Sequence, residues 1–189
     1  MFAKKERLPE NVRAVLRKTK AESPLAWTSY VDDTNPAQAD SDAQDTALEP
    51  HTTMWAVATR KALYCVNSEL VEVTKISWCD VDRAGWEPAT RRIRVSFTTS
   101  LGPLVMHVPQ EVPVRFLTVL RERVENSVIM SETVPLTSAE SARVAVRRAE
   151  TGDLFIQVVC DPGVDPNAPE VMRLVHPVVG RLREVSGAH

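Results

Sequence analysis

Residues 54–95 read MWAVATRKALYCVNSELVEVTKISWCDVDRAGWEPATRRIRV, and this stretch decides the fold. Two short apolar segments flank a tight turn at Arg60 and Lys61, a third segment leads into residues 77–81, and a hairpin turn is expected at residues 87–90. Short runs of β-branched and aromatic residues separated by polar breaks are typical of antiparallel strands joined by hairpins. The stretch therefore predicts a β-meander, and it contains no catalytic motif.

The residues on either side extend this meander and then change its period. Residues 25–31 read as a strand before the stretch, and residues 104–108 read as a strand after a turn at Gly102 and Pro103. Over residues 112–128 the apolar positions recur instead at helical spacing, namely Phe116, Leu117, Leu120, Val124 and Val128. We therefore predict an α+β fold, an antiparallel sheet or barrel of about seven strands that is capped by one amphipathic helix.

Two further segments flank this predicted domain, which we place at residues 25–130. Residues 1–24 contain an amphipathic helix with apolar positions at Leu8, Val12, Val15 and Leu16. Residues 131–189 read as a hairpin followed by a helix, with a kink or a restart expected at Pro177. Because about fifty residues are too few to bury two apolar faces alone, we expect this extension to pack on the domain.

The composition fits a protein with a packed core and little overall charge. Hydrophobic residues make up 43% of the 189 residues, and the net charge of −2 gives no global attraction to nucleic acid or anionic membranes. The charge is uneven, since residues 1–20 are basic whereas residues 33–50 are acidic and are predicted to form a mobile loop. Three widely spaced cysteines favour reduced thiols, and hence a cytoplasmic location.

Two short motifs resemble those of a known family. Residues 58–64, ATRKALY, resemble the T-x-x-x-L-Y signature of bacterial pleckstrin-homology-like (PH-like) and GRAM-like domains, and residues 75–84, KISWCDVDRA, resemble their I-P-W-x-D-V segment. The chain is similar in this respect to small uncharacterised actinobacterial proteins. The resemblance covers residues 25–130 and implies a PH-like scaffold. Phosphoinositide-binding members carry Lys and Arg where this chain has its acidic segment, so the resemblance implies the scaffold without the lipid site.

We expect no catalytic, cofactor-binding or metal-binding residues. The chain has no phosphate-binding glycine motif, no G-x-S-x-G and no H-E-x-x-H, and its four histidines are far apart. Asp80 and Asp82 can be interpreted as a metal-binding or acid pair, but solvated side chains at a strand end are expected. Trp78 and Trp86 can be interpreted as a base-stacking platform, although core packing is the commoner use of such residues.

The expected function is a non-catalytic cytoplasmic binding or scaffolding module that acts on a protein partner. The candidate partner-binding residues are arginines on the predicted strands, namely Arg92, Arg94, Arg143, Arg147 and Arg148. They are interpreted either as a basic patch or as the solvent-facing charges of ordinary strands. The alternative function is a nucleic-acid-associated regulator that uses the basic N-terminal helix and these arginine-bearing strands.

Overall fold

The computed structural model describes residues 7–34, 53–67, 69, 72–99, 101–108 and 114–188. Its N-terminal part contains α1 (Glu10–Lys18), β1 (Ala26–Asp32), β2 (Thr53–Ala58), β3 (Ala62–Asn67) and β4 (Val73–Ser77). A 3-10 turn (Trp78–Asp80) leads to β5 (Val81–Glu87), β6 (Arg92–Phe97), β7 (Leu104–His107) and α2 (Val114–Ser127). The C-terminal part contains β8 (Val128–Pro135), β9 (Ser141–Arg148), β10 (Leu154–Cys160) and α3 (Pro169–Ser186).

Strands β1 to β7 form one antiparallel sheet in the order β4-β3-β2-β1-β7-β6-β5. Each strand pairs with the next one along the chain, except that β4 does not pair with β5 and β1 pairs with β7. The pairing of β1 with β7 brings the first and last strands of the meander together. Strands β4 and β5 are not paired with each other, and the 3-10 turn connects them. The predicted α+β class, with seven antiparallel strands and a following helix, is confirmed.

Helix α2 covers one face of this sheet. Phe116, Leu120 and Val124 are buried in a core with side chains such as Ile93 and Met106. These three positions lie on one face because they are four residues apart. The predicted apolar stripe is therefore confirmed for the positions within α2, whereas Val128, which was also assigned to the stripe, is the first residue of β8.

Helix α1 covers part of the opposite face, and this placement explains the unusual burial of β3. Val12 and Leu16 pack with Val57, Tyr64 and other residues of β2 and β3. Neighbouring side chains of β3 point to opposite faces, and α1 and α2 bury both of them. Residues 62–66 of β3 are therefore buried on both faces, and Asn67 at the end of the strand is half-buried.

The C-terminal unit, residues 128–188, forms its own sheet and its own core. Strands β10, β9 and β8 pair in that order, and α3 packs on one face through Val171, Val175, Val178 and Leu182. The predicted hairpin thus has a third strand, and the predicted domain boundary at residue 130 falls inside β8. Helix α3 continues through Pro177, so the restart considered for that position does not occur.

Two further observations concern location and the acidic segment. Among the described residues, no helix is both long and apolar enough to cross a bilayer. The mobile loop predicted for residues 33–50 lies outside the described residues, apart from Asp33 and Thr34.

Candidate functional site

The five candidate arginines do not form one exposed patch. Arg94 on β6 and Arg148 at the end of β9 are exposed. Arg92 is half-buried, and its Nε donates a hydrogen bond of 2.6 Å to the carboxylate of Asp33. The remaining two, Arg143 and Arg147, contact groups of the seven-stranded sheet unit rather than standing free in solvent.

Arg147 fits neither of the two interpretations given above, a basic patch or a solvent-facing charge, because its side chain is 0% exposed. On β9, Ala142, Val144 and Val146 face α3, so the alternate positions face the other way, towards the larger sheet. The guanidinium Nη1 of Arg147 donates to the carbonyl of Val81 at 2.9 Å and to the hydroxyl of Ser127 at 3.1 Å. Burial and the nearby charge of Arg143 lower the pKa of Arg147 below its ordinary value.

The expectation of a solvated side chain is also wrong for Asp82, which is buried in the structure. Its carboxylate forms ion pairs with Arg143 and with Arg83, whose Nε lies 3.0 Å away. The Nη2 of Arg147 lies 3.8 Å from the same carboxylate. A buried carboxylate needs such partners because desolvation strongly disfavours an unpaired charge. Asp80, in contrast, is exposed as predicted.

These residues belong to a larger polar junction between the seven-stranded sheet and the C-terminal unit. Glu150 accepts hydrogen bonds from Lys75 at 2.6 Å and from Ser77. Burial raises the pKa of Glu150, but these hydrogen bonds outweigh it and hold the pKa below its ordinary value. Gln157 on β10 donates to the hydroxyl of Thr98 at 2.9 Å. The junction thus joins the two units through charges and hydrogen bonds.

Trp78 belongs to the core and cannot serve as part of a stacking platform. It is buried, and its Nε1 donates a hydrogen bond of 3.1 Å to the carbonyl of Thr59. Trp86 is half-buried and packs against the same core. Both tryptophans therefore contribute to core packing, the commoner of the two uses considered above.

The side chains with potential for chemistry are dispersed. The three cysteines are free, and Cys65 is buried beside Tyr30. Burial raises the pKa of the Cys65 thiol to about 11, so this thiol is a poor nucleophile at neutral pH. The described residues contain no group of three or more His, Cys, Asp or Glu side chains that would hold a metal ion.

A groove beside α1 combines apolar and charged side chains in a concave surface. After α1 the chain reverses at Lys20, which has a φ of 56°, and returns towards β1. The groove between these segments has a volume of about 440 Å³. Its apolar lining consists of Leu8, Leu16, Ala21, Pro24 and Trp27, and its charged lining consists of Glu10, Arg13, Arg17 and Glu22.

The surroundings of this α1 groove are positively charged. Glu10 pairs with Arg17, and Glu22 lies 3.9 Å from Lys61 on the β2–β3 turn. Within the described part of the chain, the remaining cations around α1 and this turn have no ion-pair partner; they are Arg7, Arg13, Lys18, Lys20 and Arg60. The basic N-terminal segment was visible in the sequence, but the apolar contribution of Trp27 and Pro24 depends on the chain reversal and was missed.

No family model matches the chain, and no curated protein matches it.

Proposed function

We propose that the protein is a non-catalytic module with a PH-like scaffold that binds a protein partner in the bacterial cytoplasm. The α1 groove is the observation that carries this proposal. An apolar centre surrounded by a polar and charged rim is typical of protein–protein interfaces.

The arrangement of the two motif segments supports the PH-like part of the proposal. The first segment forms the β2–β3 hairpin, in which the hydroxyl of Thr59 donates to the carbonyl of Ala62 at 2.9 Å. The second segment contributes Trp78, which donates to the carbonyl of the same Thr59. The residues that carry the resemblance therefore contact one another at the turn between β2 and β3, and α2 follows the seventh strand as the resemblance implies.

The nucleic-acid alternative has weaker support. It relies on arginine-bearing strands, but Arg147 is buried and Arg143 is paired with Asp82. The cations around α1 are available for phosphates, yet the groove between them is mostly apolar. A phosphate backbone would leave these apolar side chains without complementary contacts.

Site-specific photo-crosslinking in the native host tests the proposal. Ser23 lines the groove and is exposed, so a benzoylphenylalanine at this position should crosslink to one or a few proteins. Ser138, an exposed serine of the C-terminal unit, is the matched control. A partner identified by mass spectrometry must then bind the purified wild-type protein in calorimetry. Adducts with nucleic acid only, or no adduct at Ser23, would contradict the proposal.

A further inference from the structure

We infer that the α1 groove binds a partner segment in which apolar side chains are flanked by carboxylates. This inference rests on the proposed function and adds the chemistry of the partner. It depends on three features of the groove, which are its apolar lining, its unpaired cations and the pairing of its own acids.

The apolar lining provides the anchor site. Leu8 and Leu16 are buried at the base of the groove, whereas Ala21, Pro24 and Trp27 are half-buried. Tryptophan is among the residue types that contribute most to protein interfaces, because its large surface is already ordered before binding. An aliphatic or aromatic side chain of the partner would complete the burial of Trp27.

The charges around the groove predict that the partner's flanking groups are negatively charged. Of the two acids of the groove, Glu10 is paired with Arg17, and one oxygen of Glu22 lies 3.9 Å from Lys61, whereas its other oxygen has no hydrogen-bond partner among the described residues. Arg13 is exposed and has no ion-pair partner among the described residues. An incoming carboxylate can therefore pair with Arg13 without breaking an existing ion pair, whereas an incoming cation would meet net positive charge. Arginine also favours carboxylates through two parallel hydrogen bonds.

A protein segment satisfies both features at once, and a nucleic acid satisfies only one of them. A DNA duplex presents a phosphate on every nucleotide and keeps its bases stacked inside, so it would pair with the cations and offer no large apolar group to the half-buried Pro24 and Trp27. A peptide can place one apolar side chain in the groove and one carboxylate three or four residues away on Arg13.

Panning of a phage-displayed library of random twelve-residue peptides on the full-length protein tests the inference. The enriched peptides should combine Asp or Glu with large apolar residues. A synthetic peptide of the enriched sequence should lose about tenfold or more in affinity for the Arg13→Glu variant, since charge reversal at a rim replaces attraction with repulsion. Arg173→Glu, at an exposed position of α3, is the matched control and should change the affinity less than about twofold.

A second variant tests the groove without changing any charge. Ser23→Trp places a bulky side chain in the groove at an exposed position, so it should abolish peptide binding without affecting the core. Circular dichroism of each variant checks that the fold is retained.

Several outcomes would overturn the inference. They are enrichment of basic or uncharged peptides, no enrichment at all, unchanged affinity with Arg13→Glu or Ser23→Trp, and Arg13-dependent binding of a 24-base-pair DNA duplex with no peptide binding. If crosslinking at Ser23 finds a protein partner whose contacting segment is basic, the proposed function stands and only the inferred chemistry fails. If Ser23 yields no protein adduct, the proposed function fails first.

Discussion

Arg147 illustrates how much of this structure depends on single buried charges. Its guanidinium reaches a carbonyl 66 residues away in sequence and also contacts the end of α2. The neighbouring residue, Arg148, is exposed. The difference arises from strand geometry, because adjacent side chains point to opposite sides and only one side of β9 at this position meets the polar junction.

Replacement of Arg147 by methionine should be destabilising. The variant keeps much of the side-chain volume and leaves Asp82 with Arg143 and Arg83, but it leaves the carbonyl of Val81 without its donor. Loss of the partner of a buried hydrogen-bonding group costs about 1–3 kcal/mol. We expect a loss of this size in urea-induced unfolding, against less than about 0.5 kcal/mol for the control Arg148→Met. Equal effects of the two substitutions would show that the junction does not depend on Arg147.

Glu150 gives a pH-dependent test of the same junction. Its pKa is held below the ordinary 4.5, so it favours folding above that value, and this contribution is lost as the pH falls through the folded-state pKa. The stability difference between wild type and Glu150→Gln should therefore be constant from about pH 7 to pH 5 and should vanish at lower pH. Because Glu150 is partly exposed, the difference should be about 1 kcal/mol or less.

The control for this measurement is Glu125→Gln, which removes an exposed carboxylate that pairs with Arg121 on α2. Its effect should be near zero throughout. A Glu150→Gln difference that persists below pH 3 would mean that the hydrogen bonds, and not the charge, determine the contribution of this residue.

At the level of elements, α2 connects the sequence pattern to the fold most directly. Its buried residues are four positions apart and contact the sheet, whereas Val114 near the helix start is 77% exposed. Phe116 is 0% exposed, so Phe116→Ala should cost about 3–5 kcal/mol because it removes the ring and leaves a cavity. Val114→Ala, the control, should change stability by less than about 0.5 kcal/mol. An effect of Phe116→Ala below about 1 kcal/mol would contradict the role of α2 as the cap of the core.

The elements that the sequence predicts well are those defined by local patterns. The hairpin at Arg60 and Lys61 and the stripe of α2 depend on residues that are close along the chain. Strand β8 was missed because α2 ends at Ser127 and β8 begins at Val128, with no glycine or proline between them. Its alternation is also interrupted by Glu132, which faces α3 and pairs with Arg181.

The candidate site was predictable only in part, for the same physical reason. A basic N-terminal helix is visible from composition, but its position over β2 and β3 arises from contacts between distant segments. Likewise, the pattern of β9 cannot show which of its two faces meets a second sheet. Burial of Arg147 and Asp82 is a property of that docking and not of either strand alone.

The whole molecule has separate apolar cores, with charged and hydrogen-bonded groups at the boundary between its two units. The two cores on either side of the seven-stranded sheet draw on residues 8–124, and the core of the C-terminal unit draws on residues 130–188. The contacts described above between the units are ion pairs and hydrogen bonds. Exposure of such a boundary to water costs less than exposure of an apolar one, because the separated groups regain hydration.

This arrangement predicts different behaviour for two truncations. A chain that ends at Ser127 keeps both cores of the seven-stranded sheet and loses β8 entirely, so it should fold and remain monomeric with a lower melting temperature. A chain that ends at Leu136 keeps β8 but loses β9 and α3, which leaves unpaired backbone groups beside the uncovered side chains of Met130 and Val134. Such an edge promotes self-association.

Light scattering after size exclusion, together with thermal unfolding, distinguishes the two fragments. We expect a monomer with a cooperative transition for the fragment that ends at Ser127, and dimers or larger aggregates for the one that ends at Leu136. Aggregation or absence of a transition in the shorter fragment would show that the polar junction is required for the seven-stranded sheet to fold. In that case the Arg147→Met variant should also destabilise the seven-stranded sheet, because Arg147 connects the C-terminal unit to Val81 and Ser127.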